Sequence, residues 1–306
     1  MSFGLSQALI SIYSLLTVLT SVFALVRWVR GPGKLITELI QRTLSWWAIV
    51  TTASVCLFFN VELATLSLMA LSFFAFNEIV SKYDLQLEHK KLLRSCYFAI
   101  PIQYTLAYFN TYDLFLTFLP VTMFVLLSLR GVVSGASNEF NKAIGAVHWS
   151  LMMTVFSFSH IALLYSHNLS LPMGDLRFHL VLFLIVTTEL NDVFQFTWGK
   201  LFGKRKIIPH ISPNKTFEGL LGGILSTMVL AYFLKDFILV DAGKALVLGF
   251  LISITGFFGD ILFSAVKRDL KIKDLGSSLP GHGGLLDRVD SLALTSMVFF
   301  YTLKFF

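Results

Sequence analysis

Lys267, Arg268, Lys271 and Lys273 stand within two helical turns of one another, between two strongly apolar runs. A Pro280-Gly281-His282-Gly283-Gly284 turn follows them, and Asp287, Arg288 and Asp290 come next. Charge gathered at the edge of an apolar run is costly unless it has a ligand to hold. The cations suit phosphate oxygens, and the glycines let backbone N–H groups approach an anion closely. The carboxylates suit Mg²⁺, which takes one or two of them and completes its shell with phosphate oxygens. Cations, a glycine turn and acids in one stretch therefore point to a nucleoside triphosphate carrying its metal. A solvated loop holding "positive-inside" lysines is the plainer alternative.

Two upstream stretches offer the same chemistry. Glu189 and Asp192 are three residues apart on one helix face, with Asn191 beside them and Gln195 one turn further on. After the basic run Lys200, Lys204, Arg205 and Lys206 comes Ser212-Pro213-Asn214-Lys215-Thr216-Phe217-Glu218-Gly219. Lys215 and Thr216 are expected at a helix N-terminus, where free N–H groups and the helix dipole favour an anion. Ser212 with Pro213 is expected to fix the turn into that helix. Gly219 and Gly223 form a small-xxx-small pair that would admit a second helix behind the site. In the third stretch, Gly259-Asp260, the positions Asp260, Ser264, Lys267 and Lys271 fall on one face if the helix continues through them.

The ordered series Ser264, Lys267-Arg268, Lys273-Asp274, Gly276, Leu279-Pro280, His282-Gly283-Gly284 and Asp287-Arg288-Val289-Asp290 resembles the signature of the phosphatidate cytidylyltransferases, the CDP-diacylglycerol synthases. No fixed position departs from it. The Ser-Pro, Lys-Thr and Glu-Gly pairs of the 212–219 stretch resemble that family's second block, and Gly259-Asp260 resembles the pair that precedes its signature. The likeness covers roughly the C-terminal half. Many members carry Asp-Thr-Gly-Ala-Tyr where this chain has Asp192-Val193-Phe194-Gln195-Phe196, so the fit of acceptor or nucleotide beside this helix need not follow theirs.

The resemblance implies that CTP and phosphatidic acid, or a related lipid phosphate, give a CDP-lipid and diphosphate. It implies Mg²⁺, with room for a second ion. Asp260 and Asp287 are the expected metal ligands, with Asp192 and Asp290 as further candidates. Asp260, Asp287, Lys267 and Lys273 are expected to carry the catalysis. Ser212, Lys215, Thr216, Lys267, Arg268, His282, Gly283, Gly284 and Arg288 are expected to bind the nucleotide, with His282 as phosphate donor or turn stabiliser. A polyprenol kinase, a CDP-archaeol-type synthase and, more remotely, a transporter are the rival readings. A transporter would be expected to show internal repeats and charge near mid-membrane. Here the charge crowds two loops.

These residues must be positioned by helices. The 306 residues are 56% hydrophobic and 14% charged, with 31 Phe and a mean hydropathy of +0.75. Soluble domains average about 45–50% apolar and about 25% charged. The class expected is an all-α polytopic membrane protein, with the site at the cytoplasmic side. Apolar runs near 6–28, 44–61, 63–80, 95–110, 112–130, 145–166, 178–199, 217–240, 244–266 and 288–305 give about ten spans.

With the N-terminus outside and sides alternating, only Arg177, Lys235, Lys244 and Lys304 among the basic residues fall outside. That bias sets the orientation and puts the signature loops in the cytoplasm, most simply at a bacterial inner membrane. The first run lacks a basic leader and reads as a retained span. Residues 31–45 are expected to form an interfacial helix. Cys56 and Cys96 lie in apolar surroundings and read as packing residues, while His148 and His160 read as satisfied or cavity-facing. One membrane domain over 1–306 is expected, with 1–175 the less informative part and 176–306 the catalytic half. Membrane lipids are expected partners and nucleic acid is not; a homodimer is allowed for.

Overall fold

A computed structural model describes residues 5–31, 58–85, 87–135, 139–166, 176–276 and 283–306, with scattered positions between 33 and 56. Its helices are α1 (Leu5–Arg30), α2 (Val61–Val80), α3 (Leu87–Tyr108), α4 (Tyr112–Val133), α5 (Phe140–Ser166), α6 (Leu176–Phe202), α7 (Phe217–Phe233), α8 (Ala242–Asp269) and α9 (Leu286–Phe305). Within α1 the stretch Leu9–Val29, together with α2, α4, α5, α6 and α8, is long and apolar enough to cross a membrane. The protein is therefore an all-α, multi-pass membrane protein. Among the described residues the expected spans overlap helices, though six rather than ten are long and apolar enough to cross a membrane, and 44–61 does so only at scattered positions. That span, the interfacial helix at 31–45 and His282 lie largely or wholly outside the described residues.

The ends of these elements have local causes. Asn60 caps α2 by accepting the N–H of Leu63, and Asp241 caps α8 by accepting that of Lys244. α7 stops at Phe233 rather than near residue 240, because Lys235 and Asp236 bring charge into a short 3₁₀ turn and Leu239 takes a positive φ of 54°. α4 and α5 each contain a π-helical segment, Phe118–Met123 and Met152–Phe156. The first carries Pro120, which has no N–H to give the α-helical ladder.

α5 is the buried centre, and α1 lies at the periphery with Ile10, Leu15, Val18, Leu25 and Trp28 facing outward. In a bilayer such faces meet acyl chains, so helix association rests on close packing rather than on water exclusion. α6, α7, α8 and α9 pack consecutively, and α9 also packs on α5. His160 on α5 is fully buried, with Nδ1 at 2.7 Å from the Phe156 carbonyl and Nε2 at 3.3 Å from the Tyr301 hydroxyl. His148 Nε2 meets the Leu119 carbonyl at 3.0 Å. Both are satisfied packing histidines, and Cys96 is a buried free thiol.

Gly249 shows how tight the packing is. A Cβ there would stand 2.8 Å from Met228 Cα and 2.9 Å from the Thr227 carbonyl on α7. Gly249→Val should force α7 and α8 apart and cost about 1–3 kcal/mol of stability. A lower unfolding temperature in detergent checks this; an unchanged one would contradict the packing.

Candidate active site

Asp260, Ser264 and Lys267 share one face of α8, and the Ser264 hydroxyl lies 3.3 Å from Asp260 Oδ1. The helix ends at Asp269, and Lys271 has a left-handed φ of 56°, so Lys271 leaves the face it would hold in a continued helix. A short antiparallel hairpin completes this edge. β1 (Lys206–Ile208) pairs with β2 (Ser212–Thr216), Lys206 opposite Thr216 and Ile208 opposite Ser212. The extended strand corrects the expected turn at Ser212-Pro213: both residues lie in β2, ahead of the helix.

The strand carries Lys215 to α8, where its Nζ lies 2.7 Å from Asp260 Oδ2. Thr216 is buried and caps α7, its hydroxyl accepting the N–H of Gly219 at 3.1 Å. That bond is already made, so Thr216 serves the helix start. Glu218 accepts the N–H groups of Lys204 and Arg205 and ties down the basic loop. Arg268 turns outward and its Nε donates to the Ile211 carbonyl at 3.1 Å, pinning the hairpin to the end of α8.

α9 brings the second set of acids. Lys267 Nζ lies 2.9 Å from Asp287 Oδ1 and 3.8 Å from Asp290 Oδ2. The Lys267 and Asp287 side chains are only 12% and 7% exposed, so solvent screens their attraction little. The other oxygen of Asp287 accepts the N–H groups of Leu275 at 2.9 Å and Gly284 at 3.2 Å. Gly283 reaches that turn with a φ of +80°, which a side chain would strain. Gly259 lets α8 and α9 touch here, since a Cβ on it would fall 2.9 Å from the Asp290 carbonyl.

α6 forms the third wall. Lys215 Nζ donates to Gln195 Oε1 at 3.3 Å. Gln195 in turn donates to Asn191 Oδ1 and to the Ser253 carbonyl. Asn191 Oδ1 also accepts from the Thr227 and Ser253 hydroxyls, linking α6, α7 and α8 in one buried network. A Cβ on Gly219 would stand 2.7 Å from the Gln195 carbonyl, so α6 is the helix that the small-residue pair on α7 admits. Asp192, one turn before Gln195, has a buried Oδ1 with no hydrogen-bond partner among the described residues. Asp192, Asp260 and Asp290 are close enough for their charges to act on one another.

The structure thus draws together Asp192, Asp260, Asp287, Asp290, Lys215 and Lys267. It leaves others apart from that group. Lys273 is exposed in the loop after α8, and Ser212 begins the second strand of the hairpin. Arg288 is exposed on the first turn of α9, near enough to Glu189 for its charge to be felt there. Glu78 on α2 escapes the sequence argument although it meets the signature turn directly. Its oxygens accept the N–H groups of Leu285 and Leu286. The signal was an acid inside an apolar span, which by itself marks a functional position.

Among the described residues, no three His, Cys, Asp or Glu side chains stand close enough to cage a metal unaided. A Mg²⁺ that arrives on a nucleotide needs no such cage, because phosphate oxygens and water fill most of its shell. The donors present fit that use: hard carboxylate oxygens, one of them buried and orphaned on Asp192.

The chain is 38% identical over 305 residues to the uncharacterized protein YnbB of Escherichia coli strain K12, covering 98% of this chain and 99% of YnbB. It is 43% identical over 123 residues to a phosphatidate cytidylyltransferase of Mycobacterium leprae, covering 38% of this chain and 37% of that enzyme. A Staphylococcus saprophyticus phosphatidate cytidylyltransferase is 40% identical over 117 residues, 37% of this chain and 44% of that enzyme. The match therefore spans less than half the length of these two enzymes. The model of the cytidylyltransferase family matches residues 40–306. A chain matched over that length, and whose acids and lysines meet where β2, α8 and α9 adjoin, belongs to the cytidylyltransferase family.

Proposed function

We propose that the protein joins CTP to a membrane lipid phosphate, with phosphatidic acid as acceptor, releasing diphosphate and leaving a CDP-lipid in the bilayer. The observation that carries this reading is the pairing of Lys215 with Asp260 and of Lys267 with Asp287 and Asp290 at adjoining helix ends. Phosphatidate as acceptor follows the two partial relatives, both phosphatidate cytidylyltransferases by name.

The lipid phosphate is a monoester with a second pKa near 6, so at neutral pH it is already an anion and needs no strong base. Its oxygen forms the bond to the α-phosphorus of CTP, and the bond from that phosphorus to the bridging oxygen breaks as diphosphate leaves. The difficulty is electrostatic: two anions must meet and charge must settle on the leaving group. Lys215 and Lys267 would meet phosphate oxygens, and the exposed cations Lys273, Arg268 and Arg288 would attract the nucleotide from solvent. Asp260 and Asp287, with Asp192 and Asp290, would hold Mg²⁺, whose chemistry is to neutralise phosphate charge. Asp287 also fixes the backbone of residues 275 and 284, so the glycine turn and Lys267 stay in register. The acyl chains would remain in lipid while CTP enters from the cytoplasm, where the excess of basic residues puts these loops. Both halves of the chain would act as one membrane unit.

Purified protein supplied with CTP labelled at the α-phosphorus and with phosphatidate, Mg²⁺ present, should place the label in CDP-diacylglycerol and release unlabelled diphosphate. Chelation of the metal should abolish incorporation. Label passing from the γ-phosphorus of CTP to a polyprenol would instead support a kinase, and no labelled lipid from phosphatidate would overturn the proposed acceptor.

A further inference from the structure

We propose that Glu78, in the N-terminal half, is a positioning residue for the reaction: its carboxylate caps α9 from a distance and thereby sets Asp287. This rests on the function proposed above. α9 begins without a cap of its own. Leu285 occupies the cap position in helical geometry, φ −61° and ψ −46°, and has no polar side chain to accept the N–H groups of the first turn. Those groups are strong donors with no partner inside the helix. Glu78 supplies the acceptor from α2: Oε1 takes the Leu285 N–H at 3.2 Å and Oε2 takes the Leu286 N–H at 2.7 Å. A carboxylate at a helix N-terminus also meets the positive end of the helix dipole.

Two features tie this contact to the chemistry. Asp287 accepts from Leu275 and Gly284 while Glu78 accepts from Leu285 and Leu286, so two carboxylates share the consecutive N–H groups at 284–286, and Asp287 also holds the loop after α8. The glycines beside them leave room for Glu78. A Cβ on Gly276 would collide with Glu78 Oε1, and one on Gly284 would stand 2.7 Å from it. Gly276 and Gly284 are therefore small because a side chain from the other half of the protein occupies their space. Glu78 acts through the backbone that carries Asp287.

The test compares wild type with Glu78→Gln and Glu78→Ala, each purified and shown to unfold cooperatively. Gln keeps one acceptor but turns an NH₂ toward the other N–H. Amide exchange at residues 285–288 should quicken about ten-fold in either variant. The turnover number should fall about 100-fold, with KM for CTP and lipid changed less than about threefold, as expected for misplacement rather than lost binding. If Glu78→Ala does not accumulate, Gly276→Ala tests the same contact from the other side and should show the same two changes. Where Glu78→Ala does accumulate, the cost of Gly276→Ala should shrink in that background, where the methyl group has space. Unchanged exchange at 285–288 would overturn the cap, and a turnover number within twofold of wild type would overturn the positioning role. Wild-type protein that transfers nothing from CTP would refute the functional reading instead, leaving the exchange result to decide the cap.

Discussion

Asp287→Asn should lower turnover by about 10²–10³-fold while the protein stays folded and inserted. Asn can keep its carbonyl oxygen toward the N–H groups of Leu275 and Gly284, so the glycine turn survives. The atom facing Lys267 becomes an amide, and the ion pair is lost. The substitution therefore separates the backbone role of this side chain from its charge. Unfolding and turnover measured on one preparation check it. Near-normal turnover would remove Asp287 from the chemistry.

Lys267→Met should be the most destabilising single change in the site. It would strand Asp287 and Asp290 without the cation they share, in a setting where Lys267 is 12% and Asp287 is 7% exposed. Removing one partner of a buried pair costs about 3–5 kcal/mol, because the remaining charge stays buried. Asp260 acts on Lys267 as well, which adds a third acid to the imbalance. Lys267→Arg keeps the charge and should recover most of the stability, yet its planar fork cannot reproduce a point contact with both acids and phosphate. Chemical unfolding and turnover of the two variants give the comparison; a Met variant as stable as wild type would show the acids to be relieved by another group.

The helices were legible because long apolar runs leave little choice of structure, and α2 to α9 lie where such runs stand. The charged face Asp260–Ser264–Lys267 was legible from its spacing alone. The hairpin was not: β1 and β2 have three and five residues, and Pro213 and Lys215 break any alternation of apolar and polar positions. Nothing in the sequence marks the end of α8 before Lys271, where a positive φ on a lysine turns the chain away. Asn191 and Gln195 could be seen as polar residues in a span, but not that Thr227 and Ser253 would satisfy them from two other helices. Glu78 was least accessible, since its partners lie at positions 285 and 286 and only the folded chain brings them together.

In the proposed reaction, acids from α8 and α9 share one metal–nucleotide complex. Manganese, which is paramagnetic and accepts the same oxygen ligands, reports this directly when titrated into purified protein with CTP present and followed by electron paramagnetic resonance. The wild type should hold the ion in a nucleotide-dependent site, and Asp260→Asn and Asp287→Asn should each weaken that binding at least about ten-fold. Binding unchanged by both substitutions, or lost with one and untouched by the other, would show that the two carboxylates do not serve a common site.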